Sequence, residues 1–231
     1  VPARYLAPGM EYWSESYIDP HTLQPMVTVS TPIHRDGELL GVATVDLRLE
    51  GLREILSAAT REFGGYAFAV DRNGRFLSFP NDLLARSAEQ RSSGGSLVPY
   101  MLMSELALKQ SAYQDLDNLM ARQIGDFLHN RDNSISVTKL AKQLERESYQ
   151  ISRQEAELIA AAILDNNRYR SATPVVAHAV LANDYLLKDN VFVTVTTMPS
   201  TFWQIVTVMP DAAARLDAVR VINRMSMVVL L

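Results

Sequence analysis

An α+β fold built on antiparallel sheet is what this sequence predicts, and three observations carry the prediction. Two β-rich runs, residues 25–32 and 39–47, are joined through Asp36-Gly37, a connection too short for a parallel crossover. A second pair of short runs, residues 66–70 and 75–79, flanks Asp71-Arg72-Asn73-Gly74. Two more β-rich runs, residues 191–197 and 203–208, follow a stretch of about seventy residues with helical periodicity.

The elements follow in order. Alternation along residues 39–47 puts Val42, Thr44 and Asp46 on one face of a strand and Ala43, Val45 and Leu47 on the other. Leu49, Leu52, Ile55 and Leu56 then recur at helical spacing. Gly64-Gly65 opens a second unit, in which Asn73-Gly74 suits positive φ. Residues 81–96, polar and rich in Ser and Gly, read as a loop, and 99–170 as entirely helical. Leu116, Leu119, Met120, Ile124, Phe127 and Leu128 form one apolar stripe. Asp132-Asn133-Ser134 breaks the helix, and Leu140, Ala141 and Leu144 lie on the next. Ser152-Arg153-Gln154-Glu155 reads as a capping box ahead of Ile159, Ala160, Ile163 and Leu164. A last helix is expected from about Asp211.

Composition narrows the function. The chain of 231 residues is 48% hydrophobic and 21% charged, enough for one large core or two small ones. A net charge of −4 argues against a nucleic-acid partner, which needs concentrated Lys and Arg. Without cysteine there is no disulfide, thiolate zinc site or Cys nucleophile. His21, His34, His129 and His178 show no metal-ligand spacing. No Gly-x-Ser-x-Gly elbow, P-loop or dinucleotide fingerprint is present, so neither catalytic residues nor a cofactor are expected. Asp71-Arg72-Asn73-Gly74 lacks the further ligands of a calcium loop. Residues 137–144 look faintly like the first helix of a helix-turn-helix, but no basic recognition helix follows.

Both chain ends bear on membranes. Val1-Pro2-Ala3-Arg4-Tyr5 lacks a signal-peptide pattern. Residues 225–231 are apolar but far short of the about 20 needed to span a bilayer. They read either as the start of a spanning helix or as an amphipathic end packed on the domain. The most suggestive stretch is Tyr12-Trp13-Ser14-Glu15-Ser16-Tyr17-Ile18-Asp19, with aromatics and carboxylates crowded just before a strand. Aromatic walls with fixed carboxylates suit an ammonium group. The alternative is that Trp13 and Tyr17 are core and Asp19-Pro20 starts a turn.

Several ordered motifs resemble the double Cache (dCache) sensor domains of bacterial transmembrane receptors. These are residues 13–20, then Met26-Val27-Thr28-Val29-Ser30-Thr31-Pro32-Ile33, then Gly41-Val42-Ala43-Thr44-Val45-Asp46-Leu47. In the second unit, Gly65 to Gly74 with Phe79-Pro80, and residues 198–210, are similar to the opening hairpin and closing strands of the membrane-proximal module.

The resemblance implies two PAS-like (Cache) antiparallel modules. Residues 1–60 would be the C-terminal part of a membrane-distal module that is incomplete at its N-terminus. Residues 61–222 would form the membrane-proximal module, with a helical insertion at about 97–171. Residues 223–231 would begin a transmembrane helix. The implied protein is an inner-membrane receptor whose sensing domain lies in the periplasm, anchored through flanking helices. It would bind an amino acid, amine or organic acid and signal through its final helix to a cytoplasmic output domain. The resemblance implies Tyr17, Asp19 and Asp46 as ligand-binding residues, the two carboxylates matching positions that receive a ligand's ammonium group; Thr44, on the face of Asp46 by strand alternation, and Trp13, as an aromatic wall, complete the expected site. Leu23-Gln24 departs from the family's usual Thr-Gly turn. For the insertion the choices are a platform for homodimer contacts, a site for a partner protein, or plain structural elaboration.

Overall fold

The computed structural model describes residues 2–86, 99–129, 134–147, 153–164, 174–198 and 201–215. Two antiparallel sheets and a set of helices form the α+β architecture expected.

The N-terminal sheet grows from one hairpin. β3 (Pro25–Arg35) and β4 (Glu38–Arg48) are joined by Asp36 and Gly37 at φ 53° and 85°, the paired positive angles of a turn whose twist suits a hairpin. Two short strands, β1 (Tyr12–Trp13) and β2 (Tyr17–Ile18), pair along the other edge of β3. Between them the Ser14 hydroxyl accepts from the Thr28 N–H at 2.9 Å, a side chain standing in for a ladder bond. Val27 and Leu49 are buried in the core shared with the second sheet. β4 is otherwise exposed along its length, with Val45 59% accessible. Helix α1 (Leu49–Thr60) turns Leu49 and Leu56 inward, with Leu52 partly buried against the same core. Ile55, which shares their spacing, points away and is 68% exposed.

The C-terminal sheet runs in the order β6-β5-β9-β8-β7, all antiparallel. Its strands are β5 (Tyr66–Val70), β6 (Phe76–Ser78), β7 (Val175–Leu181), β8 (Val191–Thr197) and β9 (Gln204–Pro210). β5 is buried throughout, and Phe68 packs against Phe76 and Phe79 with ring centroids 5.6 and 5.4 Å away. Gly65 is required where β5 begins, since a Cβ there would sit 2.1 Å from the Val208 carbonyl oxygen. β7 escaped prediction because it is an edge strand, exposed at Val175, Val176 and Val180, with no clean alternation. The loop after it is pinned by buried Asp184, which accepts from Tyr66 Oη at 2.7 Å and from the N–H groups of Leu186 and Leu187. Burial pushes the Tyr66 phenol far above its ordinary range, so it stays a donor.

The helical stretch is real but segmented. α2 (Asp82–Ala85) and α3 (Met103–Lys109) lead into α4 (Gln114–His129), whose Leu116 and Met120 cover the second sheet. α5 (Ser134–Glu147) and α6 (Arg153–Leu164) form a pair with its own core of Val137, Ala141, Leu144, Ala156, Ile159 and Ala160. Tyr5 and Tyr12 pack onto this pair, so the insertion also touches the N-terminal segment. Residues 211–215 are helical. The helix break at 132–133, the cap at Ser152 and the apolar segment 223–231 lie outside the described residues. Among the described residues no helix is long and apolar enough to cross a membrane.

Candidate functional site

Three of the polar side chains on the N-terminal sheet converge. Tyr17, in β2, lies opposite Met26 of β3, which puts its ring on the same face as Thr28. Thr28 lies opposite Asp46 of β4. The Tyr17 hydroxyl is 2.8 Å from Thr28 Oγ1, which donates to Asp46 Oδ1 at 2.7 Å. Tyr17 Oη also donates to Asp46 Oδ1 at 3.4 Å. Asp46 Oδ2 has no protein donor among the described residues. Partial burial raises the Tyr17 phenol, and the carboxylates of Asp46 and Asp19 push it the same way, while the Thr28 bond opposes them. The phenol therefore stays protonated and can donate.

Thr28 was not legible as a site residue, and the reason is a bulge. The hairpin starts with Arg35 opposite Glu38 and His34 opposite Leu39, but Ile33 then faces Gly41, leaving Leu40 extra. A regular ladder counted from the turn pairs Asp46 with Val27. The bulge moves the pairing by one and brings a hydroxyl to the carboxylate instead. Thr44 shares this face, opposite Ser30, and is exposed.

Asp19 and Trp13 are placed elsewhere. Asp19 Oδ2 accepts from the N–H and hydroxyl of Thr22 at 2.7 and 2.6 Å, and these bonds hold its carboxyl below the usual range. It closes a surface turn in which Leu23 sits at φ 56°, a left-handed angle that favours glycine. Trp13 lies opposite Val29, on the other face of β3 from Asp46. Its ring meets Trp203 edge-on with centroids 5.0 Å apart, so it joins the two sheets and does not line the Tyr17 group. A cleft of about 600 Å³ lies apart from this group, between α1 and β5, lined by Arg53, Ser57, Arg61 and Pro80 among others. Among the described residues no cluster of His, Asp and Glu is arranged to hold a metal ion.

One comparison with known proteins falls on this same sheet. Residues 6–54 match the family model for the first PDC sensor domain of methyl-accepting chemotaxis protein-like receptors. The matched residues take in β1, β2, β3 and β4, the whole of the N-terminal sheet. Tyr17, Thr28 and Asp46 all fall within the matched residues, and that model describes a sensor domain. The Cache resemblance read from residues 13–47 is the same finding.

The chain is similar to the methyl-accepting chemotaxis protein McpC of Bacillus subtilis, 27% identical over 126 residues. That match covers 49% of this chain and 19% of McpC. McpA of Pseudomonas putida is 43% identical over 88 residues, which cover 36% of this chain and 13% of McpA. The chain thus spans less than a fifth of the length of either relative. Among solved structures, the ligand-binding domain of the Pseudomonas fluorescens chemoreceptor CtaA, crystallised with L-serine, aligns at a TM-score of 0.42. Identity there is 17%, covering 89% of this chain and 57% of that one.

Proposed function

We propose that this chain is the ligand-sensing part of a membrane-anchored chemoreceptor, placed outside the cytoplasm, and that the PDC sheet takes a small solute bearing an ammonium group. Amino acids and amines are the fitting class. The observation that carries this reading is the convergence of Tyr17 Oη, Thr28 Oγ1 and Asp46 Oδ1 on one exposed face. The two hydroxyls steady the carboxylate, and its outer oxygen is left to meet a cation. The Tyr17 ring beside it adds a face to which an ammonium is attracted. Thr44 extends the polar face, and Asp19 adds negative charge near Tyr17. Both relatives are named methyl-accepting chemotaxis proteins, which supports a chemotaxis output over a kinase or cyclase. The signal would leave through the helix that begins at residue 211.

Thermal-shift titration with amino acids, amines and organic acids tests this. A compound at about one hundred times its Kd stabilises the fold by about 2.7 kcal/mol. Ammonium compounds should raise the melting temperature, and Asp46→Asn should remove the shift without unfolding the chain. Tyr17→Phe should weaken binding several-fold. An equal response to carboxylates that lack an amine, or unchanged affinity in Asp46→Asn, would refute the site.

A further inference from the structure

Away from the Tyr17 face, six ionisable side chains meet where the two sheets and the α5–α6 pair come together. Arg72, in the β5–β6 turn, and Glu155, on α6, are 5% and 2% exposed. Arg72 donates to Glu155 Oε1 from Nη2 at 2.6 Å and from Nε at 3.2 Å. Its Nη2 also donates to Tyr12 Oη of β1 at 3.1 Å, with the guanidinium 5.0 Å from the centre of the tyrosine ring. Asn73 Nδ2 donates to Glu15 Oε1 at 2.7 Å and to Glu155 Oε2 at 3.3 Å. Glu15 lies between β1 and β2, so one amide holds the N-terminal sheet to the insertion.

Among the described residues the charges in this cluster do not balance. Glu15, Asp71 and Glu155 face Arg72 and Arg75, three carboxyls against two guanidiniums. Glu155 has Arg72 as a close charged partner. Asp71 Oδ1 accepts the N–H groups of Asn73 and Arg75, both at 2.9 Å. Among the described residues the hydrogen bond to the Glu15 carboxylate is the one from Asn73, an amide it shares with Glu155. Two carboxylates that share the Asn73 amide in a largely desolvated site repel each other, and a proton on one of them relieves the repulsion.

We propose that Glu15, Asn73, Glu155 and Arg72 form a proton-operated latch between the PDC sheet and the C-terminal sheet, closed when Glu15 holds a proton and released when it loses it. Closed, the latch keeps the β1–β2 segment on the β5–β6 turn. Released, Glu15 is driven from Glu155 and Asp71, and the contact loosens beside the Trp13–Trp203 pair. The surroundings favour the proton near neutrality. Burial raises the Glu15 carboxyl first, and Glu155 and Asp71 raise it further against Arg75 and Arg72, to about 7. Burial likewise pushes Tyr12 up to about 12, so that phenol stays neutral beside Arg72 throughout. The latch does not depend on what binds beside Asp46.

Trp13 and Trp203 are the two tryptophans of the chain and both lie at this junction, so their fluorescence reads it directly. In ligand-free protein the emission should change between pH 6 and 8 in one step, with a midpoint of about 7. Glu15→Gln, which keeps an uncharged group there, should hold the low-pH signal up to pH 8. Carboxyl-carbon NMR of the unsubstituted chain gives the same answer without a variant, with Glu15 titrating well above its ordinary 4.5. The proposal fails if Glu15 titrates at its ordinary value, if Asp71 takes the proton instead, or if Glu15→Gln keeps the fluorescence step. It fails equally if Glu15 titrates as expected while both tryptophans stay silent. None of these results touches the ligand titration, so the latch and the binding site stand or fall separately.

Discussion

The two sheets are packed by different rules. In the C-terminal sheet β5 is buried along its whole length, and β8 and β9 turn alternate residues into a core closed by Leu116 and Met120 of α4. In the N-terminal sheet the inner side, through Val27, joins that same core, while β4 lies exposed along nearly its whole length. Stability therefore concentrates in one sheet and the candidate site in the other. A binding face placed where packing is sparse can change shape at small energetic expense, which a sensing segment requires.

Substitutions can break or sharpen this contrast, beginning with the largest effect. Phe68→Ala, fully buried in β5, should cost about 3–5 kcal/mol by urea denaturation, through lost transfer energy and a cavity. Glu155→Ala should cost about 3–5 kcal/mol as well, because it strands the buried Arg72 charge. If Phe68→Ala proves mild, the C-terminal sheet is not the stable half; if Glu155→Ala does, Arg72 does not depend on that carboxylate.

The pH dependence comes next. Glu15 is raised to about 7 in the fold against 4.5 when unfolded. Between those values the folded chain holds a proton that the unfolded chain has lost, so stability falls as pH rises from about 4.5 through 7. The change is on the order of 3 kcal/mol across that window, and Glu15→Gln should flatten it.

Smaller effects belong to the N-terminal sheet. Leu23→Gly should stabilise the fold by roughly 0.5–1 kcal/mol, because Leu23, 74% exposed at φ 56°, holds a backbone shape that glycine adopts freely. Val45→Ala on β4 should change stability by no more than about 0.5 kcal/mol, and a larger loss would mean that β4 is covered in solution.

How much of this was legible in the sequence depends on the distance along the chain that each feature spans. Asp36-Gly37 announced the β3–β4 hairpin because the two residues themselves favour positive φ. Asn73-Gly74 was read as a positive-φ pair, yet only Gly74 adopts that angle, at 79°. The Asp71 carboxylate instead orders the turn by accepting from Asn73 and Arg75. Glu155 was read as part of a cap and proves to be the partner of Arg72, a role no local pattern announces. Among the candidate residues, Tyr17 and Asp46, singled out by their motifs, do meet, and Thr28, which no motif singled out, lies between them.

By itself the sequence determined the strand runs, the hairpin and its turn, the helical stripe of α4 and the sensor motifs of residues 13–47, since backbone preference and side-chain period act over a few residues. The tertiary structure alone decided that Leu40 is bulged so that Thr28 faces Asp46. It alone sent Trp13 to Trp203, and closed Arg72 on Glu155 across 83 positions of chain. Those outcomes depend on which surfaces meet when the sheets and helices pack, and that is settled by burial and charge among residues far apart in sequence.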